Sequence, residues 1–194
     1  MLLIVGLGNP GPGYENTRHN AGFLAARRLA AKAGFPPPAR FRGSLAAQGS
    51  AAGRRAVLAW PQTFMNLSGQ AVSELASFYK VAGQDILVLH DEMDLAPGRL
   101  KLSFGGGPAG HRGLASILEY LDTDFCRLKI GIGRPAASEA ADYVLDDFSS
   151  QERPLIDETL DRAAEAALNW AALGLALAQN LVNRRPEPDQ AAHA

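Results

Sequence analysis

Short, solid apolar runs alternate along this chain with stretches whose apolar residues recur at helical spacing, and that alternation predicts an α/β order. Residues 2–7 read as a buried strand. Residues 21–33 read as a helix, closed by Gly34 and by the run Pro36, Pro37, Pro38, which cannot extend it. Residues 44–48 and 54–60 read as a hairpin around Gly53. A helix is predicted over residues 66–81, with Leu67, Val72, Leu75 and Phe78 available for its apolar face. A further buried strand over 86–90 is followed by a strand over 99–104, a Gly-rich turn, a helix over 111–121 and a strand over 125–132. A long C-terminal helix is predicted over 150–183, carrying Leu155, Leu160, Ala164, Leu168, Ala171 and Leu175 at helical spacing, and Pro186 with Pro188 marks a frayed tail.

At 194 residues, 47% of them hydrophobic, the chain can bury one substantial core and is short for two. One domain over residues 1–185 with a tail over 186–194 is therefore expected. No stretch approaches the roughly 18 consecutive apolar residues of a membrane span. Residues 2–7 also lack the basic flank and cleavage site of a secretion signal, so a cytoplasmic location is expected. Cys126 is the single cysteine, which excludes an intrachain disulfide and a cysteine-rich zinc site. The net charge of −1 conceals an asymmetry: before Glu74 the only acid is Glu15, against eight Lys and Arg, while from Glu74 onward 19 acids face 11 cations. Two readings stand open, a face that attracts a polyanion and surface Arg that keeps an Ala-rich segment soluble.

Three motifs invite readings that their context does not support. Gly6-Leu7-Gly8-Asn9-Pro10-Gly11 spells a dinucleotide-binding fingerprint, but Pro10 and Pro12 interrupt the turn where a helix should open, and no acid lies between Glu15 and Glu74 to meet a ribose. The run from Gly105 to Gly113 lies between a strand and a helix but lacks the Gly-Lys-Ser/Thr of a phosphate loop. His90, Asp91, Glu92 and Asp94 have the composition of a metal site; strand alternation points His90 and Asp91 to opposite faces, which leaves His90 as a packed or surface residue. No G-x-S-x-G elbow is present to support a serine nucleophile.

What remains is a set of polar residues in loops after strands, where α/β folds gather reactive groups: Asn9, His19, Asn66, Asp91 and His111. Around them the sequence resembles the bacterial peptidyl-tRNA hydrolase family. The matching blocks are 6–11, Tyr14, Thr17-Arg18-His19-Asn20, Gly22, 61–69, His90-Asp91-Glu92-Met93-Asp94-Leu95, 105–113, 127–133 and Tyr143-Val144-Leu145, all in family order.

The resemblance implies a monomeric α/β domain with a mixed sheet, no metal or other cofactor, and cleavage of the ester between a peptide and the 3′ end of tRNA. His19 is then the general base, since a neutral imidazole can take a proton from water at cellular pH, and Asp91 fixes its tautomer and stabilises the imidazolium. Asn9 and Asn66 supply neutral amides for the ester, the peptide carbonyls or a developing oxyanion, although Asn66 also stands where a helix N-cap would. The same resemblance places Tyr14, Met65 and His111 in the substrate cleft, and Lys101, Arg127, Lys129 and Arg134 on a basic surface for the acceptor stem. Arg112 stands where the family commonly has Asn and is expected to reach an acceptor-end phosphate; Ser103 stands where a basic residue is frequent.

Overall fold

The computed structural model describes residues 1–135 and 140–184. Seven strands form one sheet in the order β2-β3-β4-β1-β5-β7-β6: β1 Leu2–Gly6, β2 Ala39–Phe41, β3 Ser44–Ala51, β4 Arg54–Pro61, β5 Ile86–Glu92, β6 Leu100–Phe104 and β7 Cys126–Gly131. The four central strands β4, β1, β5 and β7 run parallel, while β2, β3 and β6 join by antiparallel pairing, so the sheet is mixed. Parallel strands need both faces covered, which is why β1 and β5 read as solid apolar runs. Successive residues of β1 serve opposite layers. Leu2 and Ile4 pack with helices α1 (Ala21–Ala33) and α5 (Arg153–Leu173), and Leu3 and Val5 pack with α2 (Ser68–Tyr79) and α3 (Arg112–Tyr120).

The order of connections sets the position of the site. The chain leaves β1 through α1 on one face and leaves the adjacent β4 through α2 on the other. A crevice therefore opens beyond the carboxyl ends of β1 and β4, where such sheets bind ligands. Gly22 lets α1 approach this crevice closely, since a Cβ there would lie 2.2 Å from the Leu89 carbonyl oxygen. The helix after the first glycine motif opens at Ala21, ten residues beyond Gly11, which removes the dinucleotide reading structurally.

Three expectations need correction. The C-terminal helix is two helices, α5 and α6 (Leu175–Val182), broken at Gly174, whose φ of 77° favours glycine. The break turns α6 onto the edge strand β6, where the Asn183 side chain accepts from the Leu102 N–H at 2.7 Å and donates to its carbonyl at 2.9 Å, satisfying an open sheet edge. Helix α2 starts at Ser68, so Leu67 belongs to a preceding 3-10 turn and is 48% exposed. Phe78 is 49% exposed and meets Phe41 edge to face instead of entering the core, leaving Val72 and Leu75 to carry the buried face. Leu155, expected on the apolar stripe of the last helix, is 43% exposed. Strand β2 and the short helix α4 (Ala140–Leu145) were not marked by any apolar period. The expected tail over 186–194 lies outside the described residues.

Four of the eight N-terminal cations are matched by later acids. Arg18 pairs with Glu152, Arg28 with Asp157 and Asp161, Lys32 with Glu165, and Arg54 with Asp85. Two of these cations, Arg28 and Lys32, pair across α1 and α5, so the charge asymmetry is only partly consumed there. Among the described residues Arg40, Arg42, Lys101 and Arg112 make no ion pair.

Candidate active site

His19 sits in a 3-10 turn, Arg18–Asn20, held from both sides. Behind it the buried Arg18 guanidinium donates to the Asp147 carbonyl and to Glu152, both at 2.9 Å. In front, the Asn20 side chain accepts from the Asn9 N–H at 2.8 Å and donates to the Asn9 carbonyl at 3.0 Å, locking the turn to the loop after β1. Asn20 was quoted in the sequence only as part of a block; its value lies in this paired backbone contact, which no spacing reveals.

Asp91, near the end of β5 and 4% exposed, receives two imidazoles on one oxygen. His19 Nδ1 lies 3.0 Å from Asp91 Oδ1 and His111 Nε2 lies 2.9 Å from it. Burial alone pushes the Asp91 carboxyl up, but the two imidazoles beside it outweigh burial and hold its pKa well below the usual carboxylate range. An ionised Asp91 requires N–H on both facing nitrogens. For His19 that leaves Nε2 as the unprotonated nitrogen of the neutral ring.

His111 is different. It caps α3, its Nδ1 accepting from the backbone N–H groups of Gly113 at 3.1 Å and Leu114 at 3.3 Å. Both of its ring nitrogens are therefore committed within the protein, and a direct substrate contact through them, expected from resemblance, is not available in this arrangement.

His19, Asp91 and His111 also form the one trio among the described residues whose ligand atoms lie within 4.8 Å of one another. They do not fit a metal. A ligating histidine turns a lone pair to the ion and gives its other N–H to an acceptor, whereas His111 Nδ1 faces two backbone donors and so keeps the proton on Nε2. The acids quoted in the sequence do not pool either. Glu92 pairs with Lys129 at 2.7 Å, Asp94 pairs with Arg134 at 2.6 Å, and His90 is packed, its Nδ1–H donating to the Asp91 carbonyl at 2.6 Å.

The cleft over this pair has a volume of about 420 Å³. Tyr14, Met65 and His111 line it, where the resemblance puts them, and so do Asn9, Asn66 and Arg112, together with Val144 and Leu145 of α4. Asn9 Oδ1 accepts from the Met65 N–H at 2.8 Å across the β1–β4 crevice, which orients the amide and leaves its nitrogen without a partner among the described residues. Asn66 is exposed within the 3-10 turn Met65–Leu67 and caps no helix, which closes the alternative reading of that residue. A larger groove of about 640 Å³ beside Arg42, Glu74 and Phe78 contains no histidine and none of these groups.

The expected basic surface is only partly there. Lys101 is exposed, and its cross-strand neighbour Lys129 is tied to Glu92. Arg134 is exposed and paired with Asp94. Arg127 is 1% exposed and is not on an open surface: its guanidinium donates to the carbonyls of Gly106 and Gly107.

Comparison with known proteins agrees with this geometry. The family profile described as Peptidyl-tRNA hydrolase matches residues 3–190. A peptidyl-tRNA hydrolase of Mycobacterium sp. (strain KMS) is 51% identical over 94% of this chain and 96% of its own length. One from Desulfitobacterium hafniense (strain Y51) is 48% identical over 95% of this chain and all of its own. The crystal structure of peptidyl-tRNA hydrolase from Acinetobacter baumannii superposes with a TM-score of 0.88 at 39% identity, covering 94% of each chain. The chain is a member of the peptidyl-tRNA hydrolase family.

Proposed function

We infer that the protein hydrolyses the ester joining a peptide to the 3′ end of tRNA, releasing both. The observation that carries the reading is the state of His19: Nδ1 is bound to a buried carboxylate, and Nε2 is left to act in a cleft lined by free amides. An ester of a ribose hydroxyl has a far better leaving group than an amide, so a base acting on water suffices without an acyl-enzyme. His19 Nε2 takes a proton from water as its oxygen attacks the ester carbon. Asp91 stabilises the imidazolium, and the Asn9 amide nitrogen donates to the oxyanion. The imidazolium then returns the proton to the departing ribose oxygen. Met65, Tyr14 and the aliphatic wall of α4 pack the peptide, while Asn66 reads its carbonyls. Lys101 and Arg112, cationic and without ion pairs among the described residues, receive acceptor-end phosphates, with Lys129 and Arg134 beside them. No helix among the described residues is long and apolar enough to cross a membrane, which supports action away from the bilayer. We propose that it acts as a monomer in the cytoplasm, without metal or other cofactor, as one domain over 1–185 with a tail over 186–194.

The decisive test is hydrolysis of an N-blocked aminoacyl-tRNA beside the same tRNA carrying a free amino acid. Cleavage of the blocked ester with sparing of the free one is expected; equal cleavage of both, or of neither, overturns the reading.

A further inference from the structure

The loop over residues 105–110 cannot hold itself in place. It contains Gly105, Gly106, Gly107 and Gly110, which bring no side chains to anchor it, and φ is positive at Gly105, Gly106, Ala109 and Gly110. It is exposed at Gly106, Gly107, Ala109 and Gly110, yet it delivers His111, whose N–H closes the turn by donating to the Pro108 carbonyl at 2.8 Å. Its placement must come from outside. Gly105 is fixed by its N–H to the Phe125 carbonyl at 3.0 Å, and the next two residues are fixed by Arg127.

Arg127 is among the largest fully buried side chains and makes no ion pair among the described residues. One terminal nitrogen donates to the Gly107 carbonyl at 2.6 Å and the other to the Gly106 carbonyl, and the guanidinium carbon lies 4.7 Å from the Phe125 ring centroid. Two adjacent carbonyls matched by the two prongs of a planar fork is a fit that an ammonium cannot reproduce. Reaching a phosphate would cost Arg127 both bonds and leave the loop without them.

We propose that Arg127 is a positioning residue for the reaction: it sets the glycine loop from beneath and, through the Pro108–His111 turn, the second imidazole on Asp91, and it does not contact tRNA. The proposal rests on the hydrolase reading above. Its test compares Arg127→Lys with Arg127→Gln on two substrates, a full-length N-blocked aminoacyl-tRNA and an N-blocked aminoacyl ester of adenosine that lacks the tRNA body.

Both variants are expected to lose kcat by up to about tenfold on both substrates, no more than loss of the His111 ring they misplace would cost. Lysine should do no better than glutamine, while KM for the tRNA and its dependence on salt stay unchanged. A kcat within twofold of the parent on the adenosine ester, with a raised KM and a shallower salt dependence on tRNA, would overturn the proposal in favour of a phosphate contact. Hydrogen exchange gives an independent readout that does not need turnover. In Arg127→Lys the amides of His111, Gly113 and Leu114, which donate to the Pro108 carbonyl and to His111 Nδ1, should exchange faster while those of β7 do not; unchanged exchange at these amides overturns the proposal. If the parent protein cleaves neither ester, it is the hydrolase reading that fails, and loop exchange still decides the role of Arg127. Should Arg127→Gln not fold, Arg127→Lys carries the comparison.

Discussion

Two regions of the molecule each present an imidazole to the same oxygen of Asp91, and they differ in what they do with the other nitrogen. The turn Arg18–Asn20 is pinned by Arg18 and Asn20 on residues other than the histidine between them, so His19 spends one nitrogen on Asp91 and keeps Nε2. The loop that ends at His111 has no such help close by in sequence, and the ring itself caps α3, spending both nitrogens. In the proposed mechanism one carboxylate thus serves a base and a strut. Residue type does not separate them; the partner of the second nitrogen does.

The sharpest way to break the contrast is to remove each imidazole in turn. His19→Ala should lower kcat by about 10²–10⁴-fold, the usual worth of a general base, with KM nearly unchanged. Retained turnover in steady-state kinetics would place the base elsewhere. Asp91→Asn keeps the base but weakens its orientation and charge support, so its kcat loss should be smaller, on the order of 10²-fold; an equal or greater loss would argue against His19 as the base. His111→Ala should cost less again, about tenfold in kcat. It should also destabilise the fold by about 0.5–2 kcal/mol through the lost cap, read from denaturant unfolding.

Much of this contrast lay beyond the reach of sequence. The apolar runs of β1 and β5 and the helix from Ala21 to Ala33 were legible because a two-sided buried strand and a capped amphipathic helix leave strong periods. His19, Asp91, Asn9 and Asn66 were legible as polar residues within family blocks, although Asp91 lies within β5 and not in the loop after it. Invisible were the break at Gly174, where one glycine interrupts an otherwise continuous apolar period, and α4, too short to show one. Arg127 was misplaced for a different reason. An Arg on a strand reads as surface charge, and only the backbone carbonyls folded over it show that it is internal. His111 does line the cleft, but only the structure shows that the α3 N-terminus claims its Nδ1.

Smaller effects sharpen the edges of the comparison. Arg112, exposed at the first position of α3, should on replacement by Ala raise KM for tRNA with little change in kcat. The slope of log affinity against log salt should become shallower by up to about one contact; unchanged KM and slope would remove it from the site. His90 should affect stability more than turnover. Burial, ahead of repulsion from His111, lowers its pKa from 6.5 to about 3, so over that interval the unfolded chain binds a proton that the folded chain does not. Its contribution, complete above pH 6.5, is lost as pH falls towards 3. His90→Asn should flatten the pH dependence of unfolding free energy by up to one proton over that range, and an unaltered slope would show that His90 is not the group responsible.

The division of roles between the two imidazoles can be seen directly in their tautomers, by ¹⁵N NMR of ring-labelled histidine above the pH at which both rings are neutral. The assignment predicts a proton on Nδ1 and a bare Nε2 at His19, with the opposite pattern, a proton on Nε2 and a bare Nδ1, at His111. A proton on Nε2 of neutral His19 would leave it no lone pair to take a proton from water in the cleft and would contradict its role as the base.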